Sequence, residues 1–329
     1  MAKKNTTIVI TGASSGIGRA TALRFARKGT SLVLAARRAA ALEEVADACR
    51  QQGAEALVVP TDTSDEMAVR HLADEAVRRF DGIDVWVNDA AVSSFAPFTE
   101  MPMDEFRRVI DVNLMGYVYG ARAALEVMER QGRGVIVNVS SIVGEIPQPY
   151  TAPYGMSKAA VRALGVSLRS ELSLQKRKHI HVVTVLPPTV DTPFFRHSAN
   201  HTGRRIVAMP PVFSVDKVAR AVVRAAGAPG TGTEITVGGA GKAFVLQHRK
   251  TPAAVEAQMA LQVEKTHLSR KQPMPDNQGT LFTPAVDPAD ATTTGGWKGG
   301  RRTAGRTLLG LTALTVVAVV LGRRFSTAR

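Results

Sequence analysis

Tyr154 and Lys158, four residues apart, carry the first chemistry the sequence offers. On a helix that spacing puts a phenol and an ammonium on one face. A tyrosine with an ordinary pKa of ~10 is a poor base at neutral pH, and a neighbouring cation favours its ionised form. Tuned that way, Tyr154 can exchange a proton with a carbonyl or alcohol oxygen while a hydride moves elsewhere. Tyr150, one turn earlier, has Tyr154 rather than a lysine as its fourth neighbour and reads as pocket wall.

A hydride needs a carrier, and the N-terminal segment supplies the pattern for one. Residues 11–18 read Thr-Gly-Ala-Ser-Ser-Gly-Ile-Gly between an apolar run and a helical pattern. Gly12, Gly16 and Gly18 let the backbone turn tightly and approach a pyrophosphate at a helix N-terminus. Ser14, Ser15 and Ile17 complete the turn and join the candidate cofactor contacts. At the end of the second apolar run an NAD site would place an acid on the ribose 2′-hydroxyl. The chain instead reads Leu34-Ala35-Ala36-Arg37-Arg38. A guanidinium pairs with a 2′-phosphate where a carboxylate would repel it, so the expected cofactor is NADP(H). Arg19, just after the turn, adds to the same charge.

The elements that must position these residues are legible as alternation. Apolar runs at 7–11, 31–36, 56–59, 85–88, 135–140, 181–186 and 234–237 are rich in Val and Ile, as strands buried on both faces are. Helical patterns such as 19–28, 41–52, 68–80 and 161–178 lie between them. The expected fold class is α/β, a doubly wound Rossmann-type parallel sheet of about seven strands flanked by helices. That domain is expected over 1–240, followed by a helical extension over 241–270 and a Pro/Gly-rich linker over 271–306. An apolar helix over 307–322 and a basic tail over 323–329 close the chain. The helix would be about 24 Å long, short of a ~30 Å bilayer core, but its apolar residues run all round and arginines flank it. The expectation is a cytoplasmic catalytic domain tethered to a membrane by this tail.

Over residues 5–240 the chain resembles the short-chain dehydrogenase/reductase family. The glycine turn and Tyr154/Lys158 match in order and separation, and Ser141 stands thirteen residues before Tyr154. The resemblance implies that Ser141 orients the substrate, Tyr154 transfers the proton and Lys158 holds the nicotinamide ribose and lowers the pKa of Tyr154. It implies that Asn113, in Asp-Val-Asn-Leu, helps hold a relay water near the lysine. Asp62 matches the acid that contacts adenine, and Pro187 through Thr192 the segment beside the nicotinamide. Two departures stand out. The family's Asn-Asn-Ala-Gly is Asn88-Asp89-Ala90-Ala91 here, with Asn88 kept as a cofactor-side residue, and its Pro-Gly is Pro187-Pro188. The resemblance also implies a homodimer or homotetramer.

Composition narrows the alternatives. The 329 residues carry a net charge of +14, of which the seven basic residues from 291 onward, with no acid among them, account for half. Nucleic-acid binding would cluster cations with aromatic or hydroxyl partners, whereas here the densest cluster brackets an apolar segment. The single cysteine, Cys49, excludes a disulfide framework. The pairs His179/His181 and His197/His201 lack a third ligand, so no metal site is expected. Phe95, Phe98, Phe194, Phe195, Met209 and Phe213 suggest an apolar pocket for a lipophilic carbonyl or alcohol. The other reading, a scaffold or redox sensor that holds NADP(H) without turnover, would not need Asn113, Ser141, Tyr154 and Lys158 together.

Overall fold

The computed structural model describes residues 5–285, 287 and 290–297. Its strands, in chain order, are β1 (Thr6–Thr11), β2 (Thr30–Ala36), β3 (Glu55–Pro60), β4 (Val85–Asn88), β5 (Ser94–Phe95), β6 (Gly134–Val139), β7 (Ile180–Leu186), β8 (Ala199–Asn200), β9 (Arg204–Ile206), β10 (Glu234–Thr236) and β11 (Leu268–Pro273). Seven of them form one parallel sheet in the order β10-β7-β6-β4-β1-β2-β3. The strand order reverses between β1 and β4, and the crevice beyond their carboxyl ends is where such sheets bind ligands.

Two helical layers cover the sheet. Helices α1 (Gly16–Phe25), α2 (Ala39–Gln51) and α8 (Val215–Gly227) close one face through Ala22, Leu42, Val45 and Val222 against Ile10, Leu34 and Val137. Helices α3 (Glu66–Phe80), α5 (Gly116–Gln131) and α6 (Ala152–Leu174) close the other through Leu72, Ala124, Met128 and Leu172 against Val33, Trp86 and Ile136. Burial on both faces is why the strands read as continuous apolar runs. A short helix, α4 (Met103–Ile110), leads into α5 through a π-helical turn, Asp111–Met115, which holds Asn113. Such widened turns cluster at functional sites.

Beyond the sheet, the short α7 (Phe194–His197) follows β7, and α9 (Gly239–Lys250), α10 (Pro252–Gln262) and the turn after it bury Val245, Val255, Met259 and Val263 with Ile146 and Met209. The segment expected as a free linker behaves differently. β11 pairs antiparallel with β9, and residues 276–285 and 290–297 lie as a strap over the cleft, held by Arg37 at one part and Asp191 at the other. Leu281 is fully buried against Val109 and Ala199. Prolines and glycines prevent a helix or strand there, but they do not prevent docking through a buried leucine and main-chain carbonyls. The expected apolar helix at 307–322 and the basic tail lie outside the described residues. Among the described residues no helix is long and apolar enough to cross a membrane.

Candidate active site

The glycine turn is locked to the loop after β4 by backbone contact. Gly12 has φ +73, and a Cβ there would lie 2.8 Å from the Ala90 nitrogen. A Cβ on Gly18 would lie 2.3 Å from the Gly12 carbonyl oxygen. Thr11 Oγ1 accepts from the Asp89 and Ala90 N–H groups at 3.1 and 3.3 Å, closing the same joint. No side chain caps the N-terminus of α1 and its first turn holds no acid. Such an uncapped terminus fits a pyrophosphate, so the turn is suited to a dinucleotide. Gly12, Ser14, Ser15, Gly16 and Ile17 line the cleft, as do Arg37, Arg38, Asp62, Pro187 and Thr192. Asn88 does not. Its amide accepts from Trp86 Nε1 at 2.7 Å and donates to Asn138 Oδ1 at 2.9 Å, so it ties β4 to β6 inside the sheet.

The residues expected to transfer the proton meet where α6 packs on the turn after β6. A Cβ on Gly144 would lie 2.6 Å from the Lys158 carbonyl, and Ser140 Oγ donates to that carbonyl at 2.7 Å. This contact brings Ser141 against α6, where its hydroxyl hydrogen-bonds the Tyr154 phenol. Lys158 is buried, and its Nζ donates to Tyr117 Oη at 3.0 Å and to the Val139 carbonyl at 2.9 Å. Tyr117, the second residue of α5, carries no motif and escapes sequence reasoning.

Electrostatics differ from the expectation in one respect. Burial pushes the Tyr154 phenol up to about 12, against the lowering hydrogen bond from Ser141. The Lys158 ammonium, 5.8 Å from the Tyr154 ring centre and already engaged by Tyr117 and Val139, does not reverse this. In this geometry the phenol's pKa therefore lies above its ordinary value rather than below it. Asp89, half-buried, accepts from the Gly18 N–H and faces Lys158. Burial pushes the Asp89 carboxyl up to about 8 and the Lys158 ammonium down to about 8, against their mutual attraction. The sequence signal for this pair is the acid standing where the resemblance expects an asparagine. Asn113 is buried in the π-turn. It accepts from the Val92 N–H at 2.8 Å and donates to the Val92 carbonyl at 2.9 Å and to Ser157 Oγ at 3.3 Å. Its amide pins the loop that follows Asp89.

At the part of the cleft lined by Arg37 and Arg38 the strap meets the arginines. Arg37 donates to the carbonyls of Leu281 and Phe282 at 3.0 and 2.9 Å and to that of Thr280 at 2.5 Å. Arg38 reaches the Asp290 carbonyl at 3.4 Å and Arg19 that of Ala291. Burial lowers the pKa of both Arg37 and Arg38. Asp62 pairs with Arg108 at 2.6 Å and accepts from the Ser64 N–H and hydroxyl, which hold its carboxyl below the ordinary value despite burial.

Phe95, Phe194, Phe195 and Met209 line the other end of the cleft, joined by Gln148, Met259 and His267. Phe98 is 72% exposed, Phe213 packs under Lys217, and Tyr150 donates to Glu264 instead, so these three expected wall residues stand outside it. His267 arrives from the C-terminal extension and is invisible to local spacing. It sits edge-on to Phe95 and Phe195 with ring centres 5.1 and 5.3 Å away, and its Nδ1 donates to the Val207 carbonyl. Burial pushes its pKa down to about 4. Between that value and the unfolded ~6.5, the unfolded chain binds a proton that the folded one refuses. Stability should therefore be full above pH 6.5 and fall by about 3 kcal/mol as the pH drops to 4. Denaturant titrations at pH 7.5 and 4.5 check this against His267→Gln, which cannot titrate. Parallel losses in both proteins would sink the assignment.

A parallel sheet with a glycine turn at its switch point and a Ser-Tyr-Lys group beside it defines a nucleotide-binding oxidoreductase framework. The short chain dehydrogenase model matches residues 6–203, and the chain belongs to that family. An uncharacterized oxidoreductase of Bacillus subtilis, YxnA, is 31% identical over 306 residues, covering 91% of this chain and 83% of its own. A 3beta-hydroxysteroid dehydrogenase of Eggerthella lenta is 35% identical over 66% of this chain and 85% of its own. Among solved structures, an alcohol dehydrogenase from Thermococcus sibiricus complexed with 5-hydroxy-NADP aligns at a TM-score of 0.61 with 29% identity, covering 71% of this chain and 95% of its own. A short chain dehydrogenase/reductase from Burkholderia phymatum in complex with NAD aligns at 0.68 with 26% identity, covering 77% and 96%. The chain is thus an oxidoreductase of the short-chain type, whose family binds a nicotinamide cofactor.

Proposed function

We propose that the protein transfers a hydride between NADP(H) and a carbonyl or alcohol group of a lipophilic substrate. The observation that carries this reading is the convergence of Ser141, Tyr154 and Lys158 on one cleft, with Arg37 and Arg38 at its other end. The nicotinamide supplies the hydride chemistry. Ser141 holds the substrate oxygen and stabilises charge developing there. Tyr154, half-buried and with its pKa raised, gives its proton to that oxygen in the reducing direction and takes it back in the oxidising one. Lys158 orients the cofactor ribose, and Tyr117 and the Val139 carbonyl hold its ammonium in place. Gly12, Ser14, Ser15, Gly16 and Ile17 would hold the pyrophosphate, Arg37 and Arg38 the 2′-phosphate, Asp62 the adenine, and Pro187 and Thr192 the nicotinamide side. Phe95, Phe194, Phe195 and Met209 favour an apolar substrate body.

A screen of lipophilic ketones and aldehydes in detergent, read by NADPH consumption, tests the reaction. The expected result is turnover with NADPH favoured over NADH by about tenfold or more in kcat/KM, about 1.4 kcal/mol of discrimination. An equal or reversed preference would remove the arginine argument. Oligomerisation as a dimer or tetramer and membrane tethering through residues 307–322 belong to the same reading. Carbonate extraction of membranes carrying the full chain tests the tether, and release into the supernatant refutes it.

A further inference from the structure

The strap places main-chain carbonyls on the donors that a phosphorylated dinucleotide would use. Thr280, Leu281 and Phe282 engage Arg37, Asp290 engages Arg38, and Ala291 engages Arg19. The carbonyl of Thr292 accepts from the Gly16 N–H of the glycine turn at 2.9 Å. A carbonyl oxygen and a phosphate oxygen ask the same thing of a guanidinium or an N–H, so the two compete.

The strap is anchored on both sides of these contacts. At one side the Thr280 N–H donates to the His197 carbonyl at 2.8 Å and Leu281 is buried. Gly279 passes so close that a Cβ would lie 2.2 Å from that same carbonyl. At the other side the N–H groups of Gly295 and Trp297 both donate to Asp191 Oδ1 at 2.9 Å, and the Trp297 indole N–H donates to the Thr192 carbonyl at 3.0 Å. With the strap in this position the cleft from Arg37 to Phe195 encloses about 250 Å³, and Thr280, Pro284 and Ala285 form part of its wall. That is below the ~300–1,000 Å³ of ordinary small-molecule pockets, and a dinucleotide with a substrate needs the upper part of that range.

We propose that the strap is part of the cofactor-recognition apparatus: a built-in competitor that a 2′-phosphorylated dinucleotide displaces from Arg37 and Arg38. This rests on the NADP(H) reading above. A 2′-phosphate replaces the lost carbonyls on Arg37 with charged oxygens, whereas a 2′-hydroxyl cannot, so the strap adds discrimination against NAD(H) that the arginines alone would not give. Removing the competitor raises the fraction of protein able to bind and raises apparent affinity in proportion.

The test uses the full chain with 2′,5′-ADP and 5′-ADP as probes, their binding measured by calorimetry and strap exposure by hydrogen exchange. At saturation 2′,5′-ADP should speed exchange of the Thr280 amide, while 5′-ADP leaves it slow. The variant Leu281→Ala, which loosens the anchor, should strengthen 2′,5′-ADP binding about tenfold or more. Should that variant fail to fold, exchange in the unaltered chain decides alone. Tight 2′,5′-ADP binding with an unchanged or slower Thr280 amide would overturn the strap proposal and leave the NADP(H) reading intact. Equal affinity for the two probes would overturn both.

Discussion

Tyr154→Phe is expected to lower turnover by about 10³-fold while leaving NADPH affinity within about twofold, the signature of a lost proton donor. The phenol is half-buried in the wall of the cleft, hydrogen-bonded by Ser141, and its pKa is pushed up to about 12. Phenylalanine keeps the ring that packs on Phe194, 5.5 Å away between centres, so the pocket survives and only the transferable proton is gone. Because the phenol stays protonated across the ordinary range, reduction should not lose rate through the titration of Tyr154 below pH 10. The pH dependence should instead follow the Asp89–Lys158 pair, whose carboxyl burial pushes up and whose ammonium it pushes down, in macroscopic steps that belong to the pair. Steady-state kinetics from pH 6 to 10, with cofactor affinity measured separately, check both statements. Retention of a tenth of the turnover by the phenylalanine variant would show that another group delivers the proton.

Much of this arrangement was legible because buried parallel strands have one signature. Val33, Val87, Val137 and Val183 lie in continuous apolar runs, and the structure pairs those runs in a single sheet. The glycine turn and the Tyr-Lys spacing were local, so they could be read without knowing what lies opposite. What stayed hidden is set by tertiary contact. Asn88 ends a strand, and nothing local says whether its amide faces the cleft or Trp86 and Asn138. The phenol of Tyr154 sits beside a cation, yet its proton affinity is decided by how completely the site is dried. Residues 271–306 look like a linker because their Pro and Gly forbid periodicity. The docking of their described part rests on Leu281, and on Asp191 and three arginines, Arg19, Arg37 and Arg38, that lie more than a hundred residues earlier. His267 likewise reaches the cleft only because β11 pairs with β9 and carries the preceding turn under Phe95.

Within the glycine turn the three glycines are not equivalent, and substitution should separate them. Gly18→Ala is expected to weaken NADPH binding by about 100-fold or more and to destabilise the fold by about 1–3 kcal/mol. Its Cβ would lie 2.3 Å from the Gly12 oxygen, 2.7 Å from the Gly12 carbonyl carbon and 2.9 Å from Asp89 Oδ2. Gly12 cannot retreat, because its own α-carbon faces the Ala90 backbone at a distance where a Cβ would sit 2.8 Å away. The new methyl must therefore push the turn off β4, spoiling the N–H geometry on which a pyrophosphate depends. At Gly16 the added methyl would meet only the Thr192 side chain at 3.4 Å, so Gly16→Ala carries mainly the strain of φ +53. That strain costs about 1 kcal/mol, so its effect on affinity should stay near tenfold or less. Fluorescence titration with NADPH and thermal unfolding of both variants distinguish the two kinds of glycine. If Gly18→Ala binds within threefold of the unaltered chain, the contact between the turn and β4 does not shape the cofactor site.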